Sequence, residues 1–460
     1  MAKNGWENFG MNNKKVETNT RKYLAVFLVL FLAVSGLTAC GGGGASSGTS
    51  TGDSSTEDAS SVTLSSTADE TKDVYSAWMI NESNETSAVM LDGGAGILVN
   101  VQSVTPMYYS GENYAQVEAS GIPNYQVTIS QDLIDWIEAR PRADLADDSQ
   151  QDLVTGDVTV SAGDLIEFGE DIGYRSFSRD TTCPLNAGYG YWPPGPTCPE
   201  NTDKIGYFPE APSESGSDCE TGLGVVGYAI NGVSIFNWDD GQSYNREDVW
   251  HTLAPVAEAY DVDICGGHAA NGEYHHHFYS SCWAEVAGDE GNGHSPIYGY
   301  AADGYPIYGP WHDTGVVAQS CWKKRDYSAS SETGCGTDGE RSCQLVDEYD
   351  ISKGVTTVSR DGPTTSGTYI SLSQNSFDTG EGFFREDYYY DPDCSDDGEA
   401  YLDEHNGHDH GDYGYHYHLT VTSATDMTPA FPFTFGPTFK GSLSSIAITS
   451  CGGLLPGGPG

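Results

Sequence analysis

From about residue 73 onward, apolar and polar residues alternate in short runs. "VTISQ" at 127–131 and "DVTVSAGDLIEF" at 157–168 put successive side chains on opposite faces, the period of half-buried strands. Gly, Asn, Asp and Pro break these runs after a few residues. Helical spacing is confined to two segments, "SQDLIDWIEARPRAD" at 130–144, with Ser130 as N-cap, and "REDVWHTLAPVAEAY" at 246–260. The pattern predicts a mainly β fold with few short helices.

The alternation also repeats. "VVGYAINGVSIFN" at 225–237 aligns with "IYGYAADGYPIYG" at 297–309. Each copy reads as strand, Asn-Gly or Asp-Gly turn, strand, because both turn positions tolerate positive φ. A histidine-rich segment follows each copy. The chain therefore divides into an N-terminal mainly-β part (73–221), a first unit (222–283), a second unit with an acidic insertion (284–421) and a C-terminal extension (422–460).

The N-terminus stands apart. Lys14, Lys15, Arg21 and Lys22 precede the apolar run "YLAVFLVLFLAVSGLTAC", ending in Leu37-Thr38-Ala39-Cys40. A basic start, an apolar stretch short for a span, small residues and a cysteine make residues 1–39 a bacterial lipoprotein signal peptide. Cys40 then carries lipid, and residues 40–72 form a flexible Gly/Ser/Thr tether. The expected location is the cell envelope, at the outer membrane or cell surface, with the membrane a partner through the anchor on Cys40.

The charge of −47 becomes −50 without residues 1–39, which leaves 15 Lys and Arg against 65 Asp and Glu. Such a surface excludes nucleic acid as a partner and attracts cations. No protein partner can be named from it. Of the eleven cysteines, the ten beyond Cys40 suit up to five disulfides in an exported chain, with the pairing open. No Cys-x-x-Cys pair is present for a thiolate zinc site.

All twelve histidines fall between His251 and His418. Residues two apart on a strand share a face, so His275 and His277 point together, as do His416 and His418. Tyr415 and Tyr417 face the other way, and His276, between Tyr274 and Phe278, is a packing residue. His268 and His408 precede the two pairs, each after a Gly-Gly or Asn-Gly bend. Neutral imidazoles grouped in this way suit a transition metal, copper or zinc, over calcium or magnesium. One shared site or two separate ones are both open. His294 and His405 are further candidates, while His251 and His312 read as structural.

A second signal is acidic. Asp393, Ser395, Asp397, Glu399, Tyr401 and Glu404 fall at the ligand positions of a calcium loop, with Gly398 at its turn. The flanks lack helical periodicity, so a solvated acidic turn competes with calcium. The chain has no Gly-x-Ser-x-Gly elbow, phosphate loop or dinucleotide fingerprint.

"SGIPNY" (120–125), "GYWPPGPTCP" (190–199), "CGGHAANGEYHHH" (265–277), "GHSPIYGYAADGYPIYGP" (293–310), "LDEHNGH" (402–408) and "YHYH" (415–418) together resemble the YHYH-domain protein family. The resemblance implies export and the histidine motifs, and supplies no reaction. Two residues depart from it. His276 stands where the family strand has tyrosine, and His405 stands where the family has cysteine, leaving its counterpart Cys265 without a nameable disulfide partner.

The sequence thus points to a lipid-anchored protein whose duplicated, disulfide-stapled β domain binds a transition metal through His268, His275, His277, His408, His416 and His418. A metal-dependent extracellular enzyme, with copper redox chemistry open to it, is one alternative. A surface adhesion or glycan-binding module is another.

Overall fold

The computed structural model describes residues 73–452, apart from 91–94, 139–152, 157, 171, 173, 178–198, 259–261, 264, 371–375 and 395–396. The expected signal peptide, Cys40 and the tether lie outside the described residues. So do Cys183 and Cys198. Among the described residues no helix is long and apolar enough to cross a membrane.

The centre of the fold is an eight-stranded sheet. Its strands are β1 (Val225–Ala229), β2 (Ser234–Phe236), β3 (Gly267–Ala270), β4 (Glu273–His276), β5 (Ile297–Ala301), β6 (Pro306–Tyr308), β7 (Gly407–Asp409) and β8 (Tyr415–His418). Their spatial order, β3-β4-β2-β1-β5-β6-β8-β7, reads the same from either edge once the two units are equated. In each unit a hairpin strand (β2 or β6) runs parallel to the histidine strand (β4 or β8), which pairs antiparallel with the preceding one (β3 or β7). The duplication seen in the sequence is therefore a two-fold repeat within one sheet.

The two units meet at β1 and β5, where Gly227 faces Ala301, Tyr228 faces Tyr300 and Ala229 faces Gly299. Only glycine fits at two of these places. A Cβ on Gly227 would lie 2.6 Å from the Tyr300 carbonyl oxygen, and one on Gly299 would lie 2.4 Å from that of Tyr228.

A three-stranded sheet, Val101–Tyr109, Glu112–Ala119 and Lys204–Pro209, contributes Val101, Ala115, Val117 and Phe208 to the main core, where they pack with Trp78, Tyr228 and Tyr300. Phe208 contacts Trp78 and Tyr228 at ring-centroid distances of 5.1 and 5.5 Å. The acidic insertion adds a second core in which Trp322, Tyr388 and Tyr390 pack with Phe431 of the C-terminal extension. Four disulfides join described residues: Cys219–Cys451, Cys265–Cys282, Cys321–Cys394 and Cys335–Cys343. Cys265 thus pairs within its own unit.

The helices differ from expectation. Gln131–Glu138 is helical. The helix predicted over 246–260 shrinks to Ala254–Ala257, and His251–Leu253 is a strand paired with Asp239–Ser243. Positive φ at Arg246 and Asp248, and at Asn245 just before them, breaks the start of that segment. An unpredicted helix, Ser281–Ala287, follows the first histidine strand, with the Ser280 hydroxyl accepting from the Trp283 N–H and Gly288 ending it at φ 73°.

Candidate metal centres

Each histidine strand hangs from the same kind of turn. In the first unit Asp263 accepts the N–H groups of Cys265 and Gly267 at 2.8 and 3.0 Å and the Tyr274 hydroxyl at 3.0 Å. In the second, Asp403 accepts those of His405 and Gly407 at 3.0 and 3.1 Å and the Tyr415 hydroxyl at 3.0 Å. Gly266 and Asn406 each take φ 69° at the bend. The turns set the register of the next strand, so that His268 lies opposite His275 and His408 opposite His416.

The period-two reading of the faces holds in the packing. His276 turns away from His275 and His277 and stacks on Trp283, with centroids 4.6 Å apart and planes at 15°. Burial pushes its pKa down to about 3. Its counterpart Tyr417 donates to Asp303 at 2.6 Å and accepts the Lys440 N–H at 2.7 Å.

On the other face of the first unit, His268, His275 and His277 converge with Glu258. His275 Nδ1 donates to the Glu273 carbonyl (2.9 Å) and His277 Nδ1 to that of Asn237 (2.7 Å). A carbonyl only accepts, so each ring carries its proton on Nδ1 and turns a bare Nε2 inward. The two Nε2 atoms lie 3.1 Å apart. Two lone pairs at that distance repel unless a cation lies between them. Glu258 Oε2 is 3.1 Å from both His268 Nε2 and His277 Nε2. Burial alone would raise the Glu258 carboxyl; positive charge at the His268 and His277 nitrogens, whether a proton or a cation, holds it well below its ordinary value. Burial and the neighbouring Glu258 hold Asp240 well above its own. His275 is held well below the usual histidine value by burial, then by the fields of His268 and His277.

The second unit repeats the construction with a fourth imidazole in place of the carboxylate. His416 Nδ1 donates to the Gly414 carbonyl at 2.8 Å, His418 Nδ1 to Gly309 at 2.6 Å and His294 Nδ1 to Ser295 at 2.9 Å. Their Nε2 atoms then converge: His416 to His418 at 3.1 Å, His294 to His416 at 3.3 Å and His408 to His418 at 3.2 Å. Burial lowers His294 and His408 to about 4 and His416 to about 2, so all stay neutral and able to ligate near neutral pH. Tyr413 stacks on His294 at 4.0 Å and Tyr308 meets His416 at 4.6 Å, walling the cluster with rings.

The histidine strands β4 and β8 are five strand spacings apart, about 24 Å at about 4.8 Å each. One ion could not be shared between them, so the two groups are separate candidate centres.

Other expected residues lie elsewhere. His405 forms a separate group with Asp403 and Glu404, and its Nδ1 faces the Thr438 carbonyl at 3.1 Å and hydroxyl at 2.8 Å. Of the candidate calcium loop, Ser395 lies outside the described residues, Asp393, Asp397 and Glu399 are exposed, and Glu404 groups with His405. No helix flanks that loop among the described residues. His251 is tied by Nδ1 to Glu386 Oε1 (2.6 Å) and by Nε2 to Asp248 Oδ1 (3.1 Å), as a structural residue would be. His312 instead joins His408 and His410 in a third group.

Sequence reasoning missed Glu258, His410 and the place of His312. Glu258 sits 10 residues before His268 in a segment that read as an amphipathic helix, with nothing to separate it from other surface acids. "HNGHDHGD" did hold the signal for His410, which shares a strand face with His408 by the same period of two.

No curated protein and no solved structure gives a match to this chain. Residues 206–428, which contain the whole eight-stranded sheet and every histidine described above, match the family described as YHYH protein. The chain therefore carries a YHYH-family domain.

Proposed function

We propose that this protein is a metal-binding protein of the cell envelope that holds copper or zinc at two centres. One is formed by Glu258, His268, His275 and His277, the other by His294, His416 and His418 with His408 adjoining His418. The observation that carries the reading is the pairing of inward Nε2 lone pairs at 3.1 Å in both units, each fixed by an Nδ1 hydrogen bond to a backbone carbonyl. That arrangement is the outer support usual for metal-ligating histidines. Four donors in the first group, and three with His408 adjoining in the second, would leave a bound metal few open positions, which suits retention more than turnover. Export and lipid attachment at Cys40 would put the centres outside the cytoplasm.

The test is elemental analysis of the purified full-length protein beside a His275→Ala, His277→Ala variant and a His416→Ala, His418→Ala variant. Each variant should lose the metal of one centre and keep the other. Equal metal in all three proteins would sink the reading. An electronic spectrum of the loaded protein then separates copper from zinc, and radiolabelled fatty acid uptake that disappears in Cys40→Ser checks the anchor.

A further inference from the structure

The second unit contains more imidazole than one centre uses. His408 lies between two groups: its Nε2 is 3.2 Å from that of His418, and beyond it His312 and His410 stand at ring-centroid distances of 5.3 and 5.6 Å. One ligand atom from each of His312, His408 and His410 lies within 4.8 Å of the others. Resting on the metal-binding reading above, the geometry points to His408 as an imidazolate bridge between two metal ions, one held with His294, His416 and His418 and the other with His312 and His410.

The ring nitrogens carry this argument. In His275, His277, His294, His416 and His418 the Nδ1 atom is committed to a backbone carbonyl, so each offers one donor atom. By contrast the Nδ1 atoms of His312, His408 and His410 are buried and make no hydrogen bond to any described residue. The backbone of Glu399 also acts on the His408 ring, opposing the lowering by burial, and metal at both ring nitrogens would have to displace that contact. His312 and His408 are 8% and 9% exposed. Buried nitrogens without an ordinary hydrogen bond on three neighbouring rings are costly unless a cation or proton reaches them.

The first unit has no such extension. By the two-fold register, Ala270 takes the place of His410 and Asp240 that of His312, so the additional group is specific to the second unit. A plain stack of rings is the rival account, since His312 and His410 are 4.2 Å apart with planes at 29°. Bridging has a clear proton balance. The ring of His408 has one N–H; when both nitrogens bind metal, that proton leaves to solvent and the resulting imidazolate offsets one unit of the added charge.

The full-length protein, stripped by chelation, is titrated with Cu(II) alone. We expect three copper ions per chain, with paramagnetic resonance intensity equal to one, because two ions coupled through the imidazolate cancel. His312→Ala and His410→Ala should each bind two, both visible. Two ions in the unaltered protein, lost in turn through the His275/His277 and His416/His418 variants, would overturn the bridge and leave the two-centre reading standing. Three fully visible ions, or three still bound by His410→Ala, would also overturn it. No copper would sink both readings. The count and intensity in the unaltered protein decide the matter even if a variant misfolds.

Discussion

Three consecutive histidines, His275, His276 and His277, are chemically identical, yet the fold gives the middle one a different job, and this can be tested sharply. His276→Ala removes a ring that is 2% exposed and stacked 4.6 Å from Trp283. Losing a buried ring and its stacking should cost about 2–4 kcal/mol of folding stability. It touches no inward nitrogen, so metal content per folded molecule should not change. His275→Ala, His277→Ala removes two donors of the first centre. At a free metal concentration one hundred times the dissociation constant, an occupied centre adds about 2.7 kcal/mol to stability. The assay is denaturant unfolding with and without a chelator, read with metal content. In His276→Ala the chelator-dependent difference should match that of the unaltered protein although the whole curve has moved. In the double variant that difference should fall by about 2.7 kcal/mol. If His276→Ala lost metal in step with the double variant, β4 would be out by one residue and the assignment of faces would be wrong.

Two further outcomes follow from the insertion and its neighbours. Arg341 and Asp387, whose side chains are both fully buried, form paired hydrogen bonds at 2.8 Å, so Asp387→Asn or Arg341→Met should each destabilise by about 3–5 kcal/mol; a midpoint shift near zero in denaturant would refute that account. The Glu386 carboxylate hydrogen-bonded to His251 raises the imidazole to about 9 from its ordinary 6.5. The stabilisation is therefore complete below pH 6.5 and disappears as pH rises through about 9, screened in part because the side chain is 35% exposed. The stability gap between the unaltered protein and His251→Gln should shrink over that range, and a constant gap would contradict the pairing.

Much of this architecture was legible because it is local. Alternation placed Tyr415 and Tyr417 on one face and His416 and His418 on the other, and the Asn-Gly and Asp-Gly turns marked the repeated hairpins. What escaped depends on distant chain segments. Glu258 reaches the first group from the end of the helix Ala254–Ala257, His312 meets β7 across the acidic insertion, and Cys219 pairs with Cys451 over a separation of 232 residues. No periodicity encodes such meetings. The helix expected at 246–260 failed for a different reason: left-handed backbone at three polar residues overrode a favourable apolar spacing.

The seam between β1 and β5 has a consequence for how the two units can differ. Antiparallel pairing about a two-fold axis sets Tyr228 against Tyr300 and each glycine against the other unit's alanine, as in the self-matching contact of a symmetric dimer. In a dimer any change appears on both sides at once. Here a change in one unit meets an unaltered twin, so Gly-Tyr-Ala must remain compatible with its own copy at the centre. The outer strands carry no such obligation. That freedom is where one unit has a carboxylate among its converging histidines and the other a further imidazole, giving one chain two ends of different chemical character.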